Sequence, residues 1–222
     1  MIAPSDRQDS VDRLRHRAGV VFVMLALTLV LMASLCAAAD HGPGPPAEQV
    51  AEHAKAVWDR GAVTTALEIL DLGLGVHPEA VTLHKVRGDI LSTFRNPQEA
   101  VQAYDRVLAA QPAALDVRWA KWGLLVRWGQ EEEAIAELHN IARIDAKNPL
   151  IYWRLAQELR KLDRLEESLE SYKLAVQLMP DLLSWRLALA RARFDVLDYQ
   201  GADADLHHVL QHVPPGSPLE LP

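Results

Sequence analysis

The sequence repeats itself every thirty-four residues, and this internal period limits the possible folds more than any other feature. The copies align without a gap. One column holds small residues, the position four further on holds leucine or tyrosine, a third apolar column follows after three more, and most copies then have a proline. Since positions i, i+4 and i+7 share one face of an α-helix, and proline cannot continue a helix, each copy predicts a helix that ends at a turn.

A second periodic stretch lies upstream of each of these helices. In "LIYWRLAQELRKL" the residues Tyr152, Leu155, Ala156, Leu159 and Leu162 fall on one helical face. Each unit is therefore predicted to be a pair of helices. The five units cover about 47–80, 81–114, 115–148, 149–182 and 183–216, and residues 217–222 form a short tail.

This pattern resembles the tetratricopeptide repeat, whose motif runs W-x2-L-G-x2-Y, then alanine, a large residue and proline. The resemblance extends over about residues 47–216. It implies an all-α fold, an α-solenoid of five helix-turn-helix repeats forming a right-handed superhelix, in which each repeat mainly contacts its neighbours. The residues expected in the repeat core are Ala66, Gly88, Ala100, Tyr104, Trp119, Trp122, Ala134, Tyr152, Ala156, Tyr172 and Ala202.

The third unit departs from the pattern. Strict phasing puts Arg118 and Lys121 at two core positions, where unpaired cations would cost several kcal/mol each. A shift of that helix by one residue brings Trp119 and Trp122 to these positions instead. We therefore predict the shift, and we expect Trp119→Ala to cost about 3–5 kcal/mol, as for a buried aromatic residue.

The last unit raises the question of how the stack ends. The family that the sequence resembles often adds a solvating helix after its last repeat, and "PPGSPLELP" leaves no room for one. Either a partner covers this end, or the last helix caps it. The stretch "ADADLHHVLQHV" is polar enough to favour the second interpretation.

The first 39 residues have the pattern of a targeting segment. A region with four arginines precedes an uncharged apolar run, 18–39, that ends in "AAA". This is typical of a secretory signal peptide cleaved after Ala39; an uncleaved inner-membrane anchor and lipidation at Cys36 are the alternatives. Because the arginines favour a cytoplasmic N-terminus, we expect the remainder to be exported, to the periplasm of a bacterium. The Pro/Gly-rich stretch 40–46 then serves as a linker.

Charge and composition argue against several classes of function. A formal net charge of −7 argues against a general nucleic-acid binder. The single cysteine permits neither an internal disulfide nor a cysteine-based zinc site. His208 and His212 lie four residues apart, but two side chains are too few for a metal site. No phosphate-binding loop or hydrolase motif is present, so we expect no catalytic residues, no cofactor and no metal.

The resemblance implies a concave groove lined by the first helix of each repeat, in which a protein or peptide partner lies. The C-terminal half of this groove is basic and contains a tryptophan, and Trp and Arg are enriched at binding hot spots. The alternative is a solvated face whose tryptophan packs on a neighbouring repeat. Asp89 stands where a carboxylate clamp would need asparagine, so that clamp is not expected. The candidate partner-binding residues are Lys55, Lys85, Arg127, Trp153, Gln157, Arg160 and Arg191.

These features together predict a non-catalytic scaffold in the cell envelope that binds a protein or peptide and serves assembly or export of an envelope complex. A polysaccharide-export component that contacts an acidic glycan directly is the alternative. Self-assembly into a homo-oligomer is compatible with both.

Overall fold

The computed structural model describes residues 44–94 and 96–213, and these residues contain ten α-helices and no strand. The predicted leader, most of the linker and the tail lie outside them. Within these ranges, no helix is both long and apolar enough to cross a bilayer. The helices are α1 (Ala47–Trp58), α2 (Val63–Val76), α3 (Val81–Thr93), α4 (Pro97–Ala110), α5 (Leu115–Arg127), α6 (Glu131–Ile144), α7 (Pro149–Lys161), α8 (Leu165–Leu178), α9 (Leu183–Asp195) and α10 (Tyr199–His212).

The helices recur with the period of the sequence. The first helices of successive pairs begin thirty-four residues apart, and so do the second helices. Local signals fix several starts: Asn148 accepts a hydrogen bond from Leu150 N at 3.1 Å, and Pro149 occupies the first helical turn. The fold is therefore all-α and built from helix pairs, as the sequence predicts.

The turn inside each pair uses a left-handed backbone conformation at a fixed place in the repeat. Gly61, Gly129, Asp163 and Leu197 have φ values of 85°, 68°, 58° and 66°. These residues stand at the same repeat position, and the fifth member of the column, residue 95, is outside the described ranges. Glycine adopts this conformation readily, whereas leucine does so at a cost.

The described residues form two compact units, 44–94 and 96–213. In the first unit, α1, α2 and α3 enclose a core that includes Val50, Leu70 and Leu83. In the second unit, the core continues from one helix pair to the next through two clusters. The first cluster joins α6 to α7, and its central residues are Leu138, Ile151, Leu155 and Leu159. The second cluster joins α7, α8 and α9, and its central residues are Trp153, Tyr172, Trp185 and Leu189.

The register shift predicted for the third unit is wrong. Helix α5 begins at Leu115, in phase with the other first helices, so Arg118 and Lys121 keep the two core positions and are half-buried. Trp119 and Trp122 are half-buried against the α6–α7 cluster and do not belong to its buried set. Their rings meet edge to face, with centroids 5.4 Å apart.

Acidic side chains compensate the two cations, which removes the reason for the shift. Arg118 donates a hydrogen bond to Glu137, a residue on α6 that is 3% exposed. Lys121 Nζ lies 2.6 Å from Asp105 Oδ1 on α4 and 3.4 Å from Glu137 Oε2. The cost of burying a charge falls when the charge is paired and hydrogen-bonded.

Both pairings recur with the repeat. The first reappears two repeats later, where Arg186 Nη1 lies 3.1 Å from Asp205 Oδ1. The second appears one repeat earlier, where Arg87 Nη2 lies 3.4 Å from Asp71 Oδ1. Ion pairs between helices are therefore a recurrent part of this stack.

Most of the other residues expected in the repeat core are buried. The exception is Tyr152, which is half-buried and donates a hydrogen bond from its hydroxyl to Ala146 O at 3.0 Å. The buried members are Ala66, Gly88, Ala100, Tyr104, Ala134, Ala156, Tyr172 and Ala202.

Candidate partner-binding site

A cavity of about 670 Å³ opens between α7, α8, α9 and α10 in the second unit. We call it the C-terminal cavity. Its lining includes four of the seven candidate partner-binding residues: Trp153, Gln157 and Arg160 on α7, and Arg191 on α9. The helix pairs bring these side chains together because α7 and α9 occupy equivalent places in successive repeats.

The indole of Trp153 forms a wall of the cavity and is held in an aromatic stack. It lies parallel to Trp185, with centroids 4.6 Å apart and an interplanar angle of 7°. The ring of Tyr172 meets it at 69°, with a centroid distance of 5.1 Å. Only 9% of Trp153 is exposed. Trp153 is therefore packed on the neighbouring repeat, as in the alternative interpretation, and it also lines the cavity; its part in binding a partner stays a prediction.

Three cations, Arg160, Lys161 and Arg191, line the cavity. Arg160 Nη2 lies 2.9 Å from Asp195 Oδ2, and Lys161 Nζ lies 2.7 Å from Glu158 Oε2. Arg191 is exposed and has no ion-pair partner among the described residues. The third cation is therefore the one available to an incoming anion.

The basic groups also act on Tyr172. Burial raises the pKa of its hydroxyl, while the nearby charges of Arg160 and Arg191 oppose that rise. The lining of the cavity contains no carboxylate. The site thus combines apolar lining residues with one cation, Arg191, that has no ion-pair partner among the described residues, an arrangement that favours an apolar group next to an anionic one.

The other three candidate residues lie elsewhere. Lys55 on α1 and Lys85 on α3 line a smaller cavity of about 270 Å³ in the first unit. Glu52 and Asp89 also line it, so its charge is mixed. Arg127 is exposed at the end of α5 and lines neither cavity. The structure therefore divides the predicted groove residues: four line the C-terminal cavity, Lys55 and Lys85 line a separate one, and Arg127 lines neither.

The histidines of α10 form a stacked pair. The rings of His208 and His212 have centroids 4.2 Å apart. Burial, Arg186 and His212 lower the pKa of His208, against the opposing effect of Asp205. Across residues 44–94 and 96–213, no group of three or more His, Cys, Asp or Glu side chains is placed to hold a metal ion.

Two leucines of the last described helix are exposed. Leu206 and Leu210 on α10 are 44% and 71% exposed, respectively. The prediction that α10 is polar enough to cap the stack is therefore wrong. Leu206 also lines the C-terminal cavity, together with the exposed Phe194 of α9. The sequence contains a signal for this exposure. Leu206 is the repeat equivalent of Tyr172, and Tyr172 is covered by α9 of the next helix pair.

The period of the helices, their pairing and their turns define a helix-hairpin repeat protein. The family model of the tetratricopeptide repeat matches residues 150–182, which take in all of α8 and all of α7 except Pro149. Residues 150–182 therefore match a tetratricopeptide repeat, and the described helices have an all-α fold of the solenoid type.

Solved structures share this fold at low sequence identity. MamA (residues 41 to the end) from Desulfovibrio magneticus RS-1 is 20% identical, with a TM-score of 0.57, over 77% of this chain and 96% of that one. Another MamA crystal structure is 12% identical, with a TM-score of 0.60, over 74% and 90%. YrrB, described as "a TPR protein with an unusual peptide-binding site", is 16% identical, with a TM-score of 0.59, over 77% and 88%. No curated protein matches the chain.

Proposed function

We propose that this protein is a non-catalytic interaction scaffold of the cell envelope, which holds a protein or peptide partner in the C-terminal cavity. The observation that carries the proposal is the convergence of Trp153, Gln157, Arg160 and Arg191 on one cavity whose lining is mostly apolar and contains no carboxylate. Cavities of this size and composition are common ligand sites. The description of YrrB as a peptide-binding protein of the same fold supports a peptide partner.

The chemistry of the lining supports a binding role. None of the lining residues is an aspartate, glutamate, histidine, cysteine or serine. The cavity thus lacks the nucleophile–base pair on which acyl transfer and hydrolysis depend. Its cations are suited to holding an anionic group in place.

A protein partner is favoured over an acidic glycan. A sugar ring that stacks on an aromatic residue needs an open ring face, and Trp153 is only 9% exposed with Trp185 stacked against it. Apolar side chains such as those of leucine or phenylalanine match the apolar lining residues Leu187, Phe194 and Leu206.

The envelope location is part of the proposal and is supported by the leader pattern of residues 1–39. The role would then be the assembly or export of an envelope complex. Intact mass of the protein from its native host tests the first step. A chain that starts at Asp40 indicates a soluble periplasmic protein, and one that starts at Met1 indicates an anchored protein.

Charge reversal tests the binding site. Arg191→Glu replaces the available cation, and we expect recovery of the partner in quantitative affinity purification from the native host to fall at least tenfold. Lys147→Glu makes the same charge change at an exposed position outside the cavity and should leave recovery unchanged. Equal recovery with the two variants would contradict the proposal.

A further inference from the structure

The open face of the last repeat has equivalents in the earlier repeats, and these show what normally covers it. The residues in the column of Leu206 are Leu70, Tyr104, Leu138 and Tyr172, and each is at most 4% exposed. Leu206 is 44% exposed. The face therefore keeps its apolar character but lacks its cover among the described residues.

A helix supplies the cover at the repeats where the packing is described. Leu138 packs in one cluster with Ile151, Leu155 and Leu159 of α7. Tyr172 packs in the same way with Trp185, Leu189 and Ala192 of α9. The covering helix thus presents apolar side chains at i, i+4 and i+7 or i+8, which is one helical stripe.

The residues that follow α10 do not have the sequence of such a helix. In 214–222, "PPGSPLELP", four of the nine residues are proline. Proline removes the helical hydrogen bond and clashes with the preceding turn. A helix in this place has to come from another segment or another molecule.

The charge around the face selects among helices. Arg160, Lys161 and Arg191 line the C-terminal cavity together with Leu206 and Phe194, and the first two are paired with Asp195 and Glu158, which are not part of the lining. Arg191 has no ion-pair partner among the residues described. A helix that carries acidic side chains beside its apolar stripe complements both features.

We infer that the partner supplies an amphipathic, acidic α-helix, which docks on α9 and α10 where the first helix of a further repeat would lie. This inference rests on the proposed function and adds the secondary structure, the charge and the position of the bound segment. The apolar stripe of the helix covers Leu206 and Leu210, and a carboxylate meets Arg191.

Two stapled peptides with the same apolar stripe test the inference. Both use the α7 sequence, Pro149–Lys161, with Ile151, Leu155 and Leu159 unchanged. The anionic probe carries Glu in place of Arg154, Arg160 and Lys161, and the cationic probe carries Glu158→Lys. A hydrocarbon staple keeps both helical, which circular dichroism checks. Fluorescence anisotropy with the full chain in mild detergent should give saturable binding of the anionic probe, at least tenfold tighter than that of the cationic probe.

Variants of the full chain locate the binding. Leu210→Ala should weaken the anionic probe at least fivefold, and circular dichroism should be unchanged because the side chain is 71% exposed. Leu174→Ala is the control, since Leu174 on α8 is 44% exposed and lies outside the lining of the C-terminal cavity. Arg191→Gln should bring the affinities of the two probes closer together.

Other occupants of the face give different results. A dimer in sedimentation that Leu210→Ala dissociates would place a second copy on the face and overturn the inference. Anionic-probe binding that appears only after deletion of 214–222 assigns the face to the chain's own tail and also overturns it. If neither probe binds but Arg191→Glu still reduces recovery of the partner, the acidic helix is rejected and the proposed function stands.

Discussion

Single residues show how the repeat accommodates side chains that its pattern disfavours. Leu197 has a φ of 66° at the turn position that Gly61 and Gly129 occupy in other repeats, and its side chain is 69% exposed. It therefore bears the backbone cost of a left-handed conformation and receives little burial in return.

Replacing this leucine should stabilise the protein. Leu197→Gly relieves the left-handed backbone, and we expect the free energy of unfolding to rise by about 1 kcal/mol. Gly129→Ala is the converse variant and should lower it by about 1 kcal/mol. Urea denaturation followed by circular dichroism measures both, and a decrease with Leu197→Gly would contradict the turn assignment.

The buried carboxylate of Glu137 should be essential for the two cations that face it. Glu137→Ala leaves Arg118 without its partner in a place where the arginine side chain is 13% exposed, and we expect a loss of about 3 kcal/mol. Glu133→Ala, an exposed position in the first turn of the same helix, should cost less than about 1 kcal/mol.

A double variant separates charge from packing at the same place. Arg118→Leu combined with Glu137→Leu removes the pair without leaving a single charge, so it should be closer to the wild-type stability than Glu137→Ala is. The same urea denaturation midpoint serves for all of these variants. A double variant that is the least stable of the set would show that the ion pair itself provides the stability.

At the scale of the helices, the stability cost of replacing a tryptophan by alanine should increase with the burial of that tryptophan. Trp153 on α7 is stacked and buried, whereas Trp119 on α5 is half-buried. Trp153→Ala should therefore cost about 3–5 kcal/mol, and Trp119→Ala should cost less than the value that the register shift implied, about 1–2 kcal/mol. If the two costs are equal, or the order is reversed, the in-phase placement of α5 is contradicted.

The helices were predictable from the sequence because they depend on short spacings. Columns of small residues, large residues and prolines set the second helices, and the in-phase starts of the first helices follow from the same period. The error at α5 has a different origin. The partner of Arg118 is Glu137, on the next helix, and the pattern of α5 alone contains no sign of it. The offset of nineteen residues, repeated between Arg186 and Asp205, was the available signal.

The candidate site was predictable in part for the same reason. Positions on α7 and α9 follow from the repeat register, so the sequence alone predicts that Gln157, Arg160 and Arg191 share one face. The burial of Trp153 does not follow from the register, because it depends on Trp185 from the following repeat. The part of Leu206 in the cavity lining depends on whether another helix covers α10, and residue spacing alone does not show that.

At the scale of the whole molecule, neighbour contacts should set local stability. In repeat proteins each unit is stabilised mainly by adjacent units. Helix α8 packs against α7 and α9, whereas in the described structure α10 packs against α9 alone. We expect the amides of α10 to exchange with solvent faster than those of α8 in hydrogen-exchange mass spectrometry. Equal protection of the two helices in the isolated protein would show that the last repeat is already covered.

The central claim is that a protein partner lies in the C-terminal cavity, and site-specific photocrosslinking in the native host tests it most directly. The photoreactive residue belongs at Gln157, which lines the cavity and is half-buried, because Trp153 is part of the core. A second photoreactive residue at exposed Glu133 on α6, outside the lining, is the control. The account predicts a discrete protein adduct from Gln157 that is absent from Glu133 and lost in Arg191→Glu. With the fold intact, no protein adduct at Gln157, or the same adducts at both positions, would contradict it.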